Sequence, residues 1–166
     1  MREDLLKKDL DYFESKLDLK GNKMPSFTTQ IANLYKSGPI IEVLISPSRL
    51  LVQILRDKNQ PIPQSVKVLA MIDTGATSTV VRLDVIEKIG INPIGVVKIN
   101  TPSSIGVECY QYQAAVVFPN NLAIETSDLI AAPLQGQHIQ CLIGRDILRH
   151  GVLIYNGYAQ IVTFSV

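Results

Sequence analysis

The chain has 166 residues, 46% of them apolar and 19% charged, with a net charge of +1. That suffices for one domain with its own core and is too apolar for a disordered chain. The near balance of acids and bases excludes a large electrostatic footprint for nucleic acid or an anionic membrane, and no run approaches the roughly twenty apolar residues of a membrane span.

Taken in order, residues 3–20 read as an amphipathic helix, with Leu5, Leu6, Leu10, Phe13 and Leu17 at three- and four-residue steps. Gly21-Asn22 ends it, and the polar stretch to Pro25 reads as a linker. Residues 1–38 are expected to be an N-terminal helical extension and linker, and residues 39–166 the main domain. The charged start, Met1 to Asp4, lacks the apolar segment of a signal peptide and points to a cytoplasmic protein.

From Ile40 to Ile45 the pattern is a strand. Leu50–Leu55 is apolar and fits either a strand or a turn of helix. Val66–Ile72 is a strand that runs straight into Asp73. The run 83–89 has a helical period and a glycine stop at Gly90. Residues 96–117 read as a long hairpin whose tip is Thr101 to Gly106. Leu122–Thr126 and Ile139–Ile143 read as strands, residues 144–151 as a short helix, and 152–166 as a terminal hairpin turning at Asn156-Gly157. Residues 127–138 fit no regular element. The sum is an all-β fold, mostly strands with one or two short helices.

Familiar sites are missing. No glycine-rich phosphate loop follows a strand, and no Gly-x-Ser-x-Gly elbow occurs. Two cysteines and two histidines stand far apart, without metal spacing. Cys109 and Cys141 lie on apolar stretches and are expected to be buried, reduced thiols. Neither cofactor nor metal is expected.

Asp73 remains. It stands between Met71-Ile72 and a later apolar pair, Val80-Val81, and an acid among strand residues costs free energy unless it has a purpose. Thr74-Gly75-Ala76 after it form a tight turn. Further on, Leu142-Ile143-Gly144 is followed by Arg145-Asp146-Ile147-Leu148. On these residues the chain, over 39–166, resembles the retropepsin-like aspartic proteases, in particular their bacterial single-domain relatives.

The resemblance implies a retropepsin-like closed β-barrel, half of a two-fold symmetric protease. It implies Asp73 as the catalytic aspartate, with Thr74, Gly75 and Ala76 as the active-site loop and the Thr74 hydroxyl bracing the partner's loop. It also implies Ser103, Ser104, Ile105 and Gly106 as the flap over a peptide, and Gly144 and Arg145 as structural support beneath the loop. One position departs from the retroviral pattern. Thr77 stands where those members carry an acid for the arginine, so the partner of Arg145 is either a backbone carbonyl or an acid from elsewhere.

Peptide hydrolysis by this route needs two carboxyls sharing a proton. Asp57, Asp84, Asp128 and Asp146 read as caps or solvated charges at turns and helix starts. The second acid is therefore expected from Asp73 of another copy, making a homodimer that acts on peptide or protein substrates. The alternative is a non-catalytic module of the same fold that binds peptides or dimerises. A plain β-barrel whose Asp73 only satisfies turn amides leaves residues 142–148 unexplained. The N-terminal helix would either inhibit as a removable segment or add to the dimer interface, the second being preferred. The terminal strand 160–166 is a further candidate for dimer contacts.

Overall fold

A computed structural model describes residues 25–101, 104–134 and 138–166. The amphipathic helix expected over 3–20 lies outside the described residues. Strands dominate, in two sheets. The larger has seven strands: β2 (Ile40–Pro47), β3 (Val66–Ile72), β4 (Val80–Val81), β5 (Gly95–Thr101), β6 (Ser104–Val117), β7 (Ala123–Ala131) and β8 (Cys141–Ile143). Their order is β2-β3-β8-β4-β7-β6-β5, and β2 also pairs with β6, so the sheet folds back on itself. The smaller sheet has the order β1 (Ser26–Gln30), β10 (Ile161–Ser165), β9 (Val152–Asn156).

Period-two alternation sets which face of each strand is buried. Val68, Ala70 and Ile72 of β3 point into the core with Ile41, Val43 and Ile45 of β2, while Lys67 and Glu42 pair outside at 2.9 Å. Short helices fill the connections: α1 (Leu34–Ser37), α2 (Arg49–Asp57), α3 (Leu83–Ile89) and α4 (Arg145–Leu148). The open choice at Leu50–Leu55 resolves as helix, because Ser48 accepts the Leu51 amide hydrogen as N-cap. Helix α3 buries Val85, Ile86 and Ile89 and stops at Gly90, which takes a left-handed φ of 73°.

Three regions differ from their sequence reading. Residues 26–38 were expected to belong to an appendage, yet β1 pairs with β10 along its whole length. Phe27 is buried against Phe118 and Phe164, at ring-centroid distances of 5.3 and 6.4 Å. Burying one such ring is worth about 2–3 kcal/mol, so this stretch is part of the body. The terminal strand β10 is central in its sheet, with β1 and β9 on its two sides, so it offers no free edge. Strand β7 also continues to Ala131, through residues that fit no element by pattern, because its pairing with β6 resumes beyond an irregularity between Tyr112 and Ala114.

Candidate active site

Strand β3 delivers Asp73. It runs parallel to β8, with Ile72 opposite Ile143, and the Asp73 amide donates to the Ile143 carbonyl at 2.9 Å. The chain then turns sharply. The Gly75 amide donates to Asp73 Oδ1 at 2.8 Å, and the Ala76 amide to the Asp73 carbonyl at 3.2 Å. This is the self-bonded turn that aspartate favours. A Cβ on residue 75 would stand 3.0 Å from Oδ1, so glycine lets the amide approach. Asp73 is half-buried, Thr74 and Gly75 are exposed and Ala76 is half-buried. Among the described residues, Asp73 Oδ2 has no hydrogen-bond partner.

The loop is held from below by the segment after β8. The Arg145 guanidinium donates to the carbonyls of Thr74 (2.8 Å) and Gly75 (3.1 Å) and to the Thr77 hydroxyl (3.0 Å). Of the two partners left open for Arg145, the backbone carbonyl is the one found, and Thr77 adds a hydroxyl. The amides of Arg145 and Asp146 donate to the carbonyls of Ala76 and Thr77. Gly144 passes so close that a Cβ would lie 2.5 Å from the Ser78 carbonyl.

A second layer was missed in the sequence. Asp146, expected to be a cap or solvated charge, is only 7% exposed. Its two oxygens accept the hydroxyls of Thr79 (2.8 Å) and Thr126 (2.9 Å), and Thr79 Oγ1 in turn accepts the Gly144 amide at 3.1 Å. A buried carboxylate must be satisfied by donors, and these hydroxyls come from β7 and from the chain entering β4. The available signal was Thr79 itself, a hydroxyl directly before the apolar Val80-Val81.

The 62–147 stretch that carries this site matches a family model described as aspartyl protease, over just over half of the chain. The chain belongs to the aspartyl protease family. Among solved structures it is similar to a retropepsin-like aspartic protease from Rickettsia conorii, at 14% identity, over 85% of this chain and 95% of that chain, with a TM-score of 0.48. No curated protein matches it.

In this member of the aspartyl protease family the hairpin of β5 and β6 carries the residues expected as the flap. Ser103 lies outside the described residues, and Ser104 opens β6. Ile105 is 91% exposed. Gly106 takes a φ of 68° and donates its amide to Asn100 Oδ1 at 2.9 Å, a support that the sequence did not flag. One face of the hairpin, Val97, Ile99 and Val107, packs beside Val80 on a small apolar cluster of Cys109, Ile130 and Ala132, separate from the main core. A cleft of about 330 Å³ lies elsewhere, between β1, β2 and β3 near Gln30, Ile40, Glu42 and Leu69, and none of the loop residues lines it.

Several other acids of the described residues are engaged away from the loop. Asp84 pairs with Arg82 and Lys88, Asp128 accepts from Gln111, and Glu125 accepts the Arg49 amide hydrogen. Among the described residues no cluster of three or more His, Cys, Asp and Glu could hold a metal ion. Both cysteines are free and buried, and burial pushes their thiols above the usual range. No helix among the described residues is long and apolar enough to cross a membrane.

Proposed function

We propose that the protein is an aspartic endopeptidase whose catalytic pair is Asp73 from each of two copies. The observation that carries this reading is the state of Asp73: half-exposed on a braced turn, with one oxygen held by the Gly75 amide and the other unbonded among the described residues. Two such carboxyls facing each other share one proton, because like charges a few ångströms apart do not both ionise. One takes a proton from a water as its oxygen adds to the scissile carbonyl carbon. The other gives its proton to the carbonyl oxygen. The tetrahedral intermediate collapses when a proton reaches the leaving nitrogen and the C–N bond breaks.

In this reading Thr74 braces the partner's loop, and the hairpin around residues 103–106 closes over an extended peptide. The apolar face of Val97, Ile99, Val107 and Val80 then gives the substrate side chains an apolar surface. Gly144 and Arg145 hold the loop against displacement. The protein acts in the cytoplasm in this reading.

The test is digestion of a diverse peptide mixture from about pH 4 to about pH 7, a range set by carboxyl titration. Cleavage blocked by a statine-type inhibitor is expected. Asp73→Asn should lower the rate on the order of 10³-fold or more and leave the thermal unfolding curve in place. A folded dimer that cleaves nothing at any pH would point instead to a non-catalytic module.

A further inference from the structure

We infer that Gln111 positions the flap hairpin, tying it through a bulge in β7 to the buried acid that steadies the Asp73 loop. This role rests on the peptidase reading, which gives the hairpin a peptide to close over.

Strand β7 carries one residue too many for its partner. Tyr112 lies opposite Leu129 and Ala114 opposite Thr126, so Gln113 alone faces Ser127 and Asp128. Such a bulge drops backbone groups out of the ladder and re-aims side chains, and bulges gather beside active sites. Here the freed groups find side chains. Gln111 Nε2 donates to the Ser127 carbonyl and to Asp128 Oδ1, each at 2.9 Å. The Asp128 backbone amide donates to Thr126 Oγ1, also at 2.9 Å. Thr126 gives its own hydroxyl hydrogen to Asp146 Oδ2. The other oxygen of Asp146 accepts from Thr79, and Thr79 accepts the Gly144 amide hydrogen beneath the Asp73 turn. A run of hydrogen bonds thus joins β6 to the brace of the loop.

Gln111 sits where the hairpin leaves the body. Toward the tip, β6 keeps β7 as a partner only as far as Tyr110, which pairs with Ala131. Past that point its pairing is with β5 alone. Gly106 lies roughly 17 Å beyond Gln111 at the usual rise of a strand. The Lys98–Glu108 pair and the bond from Gly106 to Asn100 hold the hairpin to itself. Among the described residues, Gln111 is the only side chain of β5 or β6 that hydrogen-bonds β7. Its partner across β5 is Gly95, which has no side chain to compete, and the Ile94 amide donates to the Gln111 carbonyl at 2.8 Å. The residue is therefore gripped from both neighbouring strands. A hairpin without this anchor must be ordered by the peptide, and that cost appears in substrate binding. The groups that face the scissile bond stay as they are, so the chemical step keeps its rate.

The test combines peptide cleavage by the full chain with hydrogen exchange. Gln111→Leu keeps the bulk of the side chain and removes its donor. KM should rise about tenfold, the worth of one or two neutral hydrogen bonds, with kcat within about twofold of wild type. Exchange should quicken at the amides of β5 and of residues 104–110 and hold elsewhere in the large sheet. Asp128→Ala leaves the Ser127 carbonyl as an acceptor, so KM should rise less. Asp128→Asn still offers an oxygen to Gln111 and should behave as wild type. A lower melting temperature with KM unmoved would make Gln111 a structural residue only and overturn the assignment. So would hairpin exchange that is unchanged, or quickened equally across the fold. If the wild type cleaves no peptide, the peptidase reading fails and exchange alone decides. Quickening confined to the hairpin then supports the anchor, and its absence removes it.

Discussion

Asp73 and Asp146 are two acids that each follow the end of a short strand, β3 and β8, which lie side by side in parallel. Their surroundings are opposite. Asp73 is half-exposed and receives a single amide on one oxygen. Asp146 is 7% exposed, and each of its oxygens receives a threonine hydroxyl. A buried carboxylate with a hydroxyl on each oxygen is out of reach of water or a substrate, and its work is structural. One with a free oxygen on a rigid turn can react. The two are joined through Gly144, whose amide bonds Thr79, the same hydroxyl that bonds Asp146. The acid that is hidden steadies the acid that is shown.

The junction is the place to break this arrangement most severely. Gly144→Ala would put a methyl group 2.5 Å from the Ser78 carbonyl and 2.9 Å from the Thr79 amide. These are backbone atoms that side-chain rotation cannot move. The expected cost is about 3 kcal/mol, at the upper end for overpacking, read as a lowered urea midpoint. Both acids lose their setting together, so cleavage should fall with stability. An unchanged midpoint would mean that the loop and α4 separate freely, and the coupling between the acids would be lost as an explanation.

The next test takes the acids one at a time. Asp146→Ala leaves two buried hydroxyls without an acceptor, for about 2 kcal/mol of destabilisation. Asp146→Asn should cost less, because an amide accepts from one threonine and donates to the other. Asp73→Asn should scarcely move stability, since its amide oxygen can still accept the Gly75 hydrogen. Stability and activity therefore divide between the two sites. If Asp73→Asn destabilised the fold more than Asp146→Ala did, the contrast would fail.

That division also marks what could be read in advance. The Asp73 turn depends on neighbours in sequence: the strand before it, the small residues after it, the amide two positions on. So do helix α3, with its glycine stop, and the long β5–β6 hairpin. Asp146 depends on hydroxyls 67 and 20 residues away, and no local pattern announces them. Strand β1 was hidden for a similar reason. Ser26–Gln30 has one large apolar residue, Phe27, and is a strand because β10 lies beside it. The central place of β10 follows from β1, so its lack of a free edge was hidden with that strand. Helix α1 escaped notice because its entry needs Asn33 in a left-handed conformation, which the sequence permits but does not demand.

A third acid supplies the smallest effect and a check on the other two. Asp84 sits at the start of α3, where the Arg82 guanidinium bonds both its oxygens at 2.8 Å and Lys88 lies at 3.4 Å. Chiefly through the Arg82 bond, its carboxyl is held well below the ordinary value, at about 2. A group whose folded value is depressed adds stability above its unfolded value, near 3.8, and loses it as pH falls through the folded one. The pair is solvent-exposed and screened, so its worth is small. Asp84→Asn should lower the melting temperature slightly at neutral pH, with the gap to wild type closing between about pH 4 and about pH 2. It should leave cleavage per dimer unchanged, because this acid touches neither the loop nor its braces. A change in cleavage without a change in melting would tie α3 to the site and end the simple division of the acids by their hydrogen-bond partners.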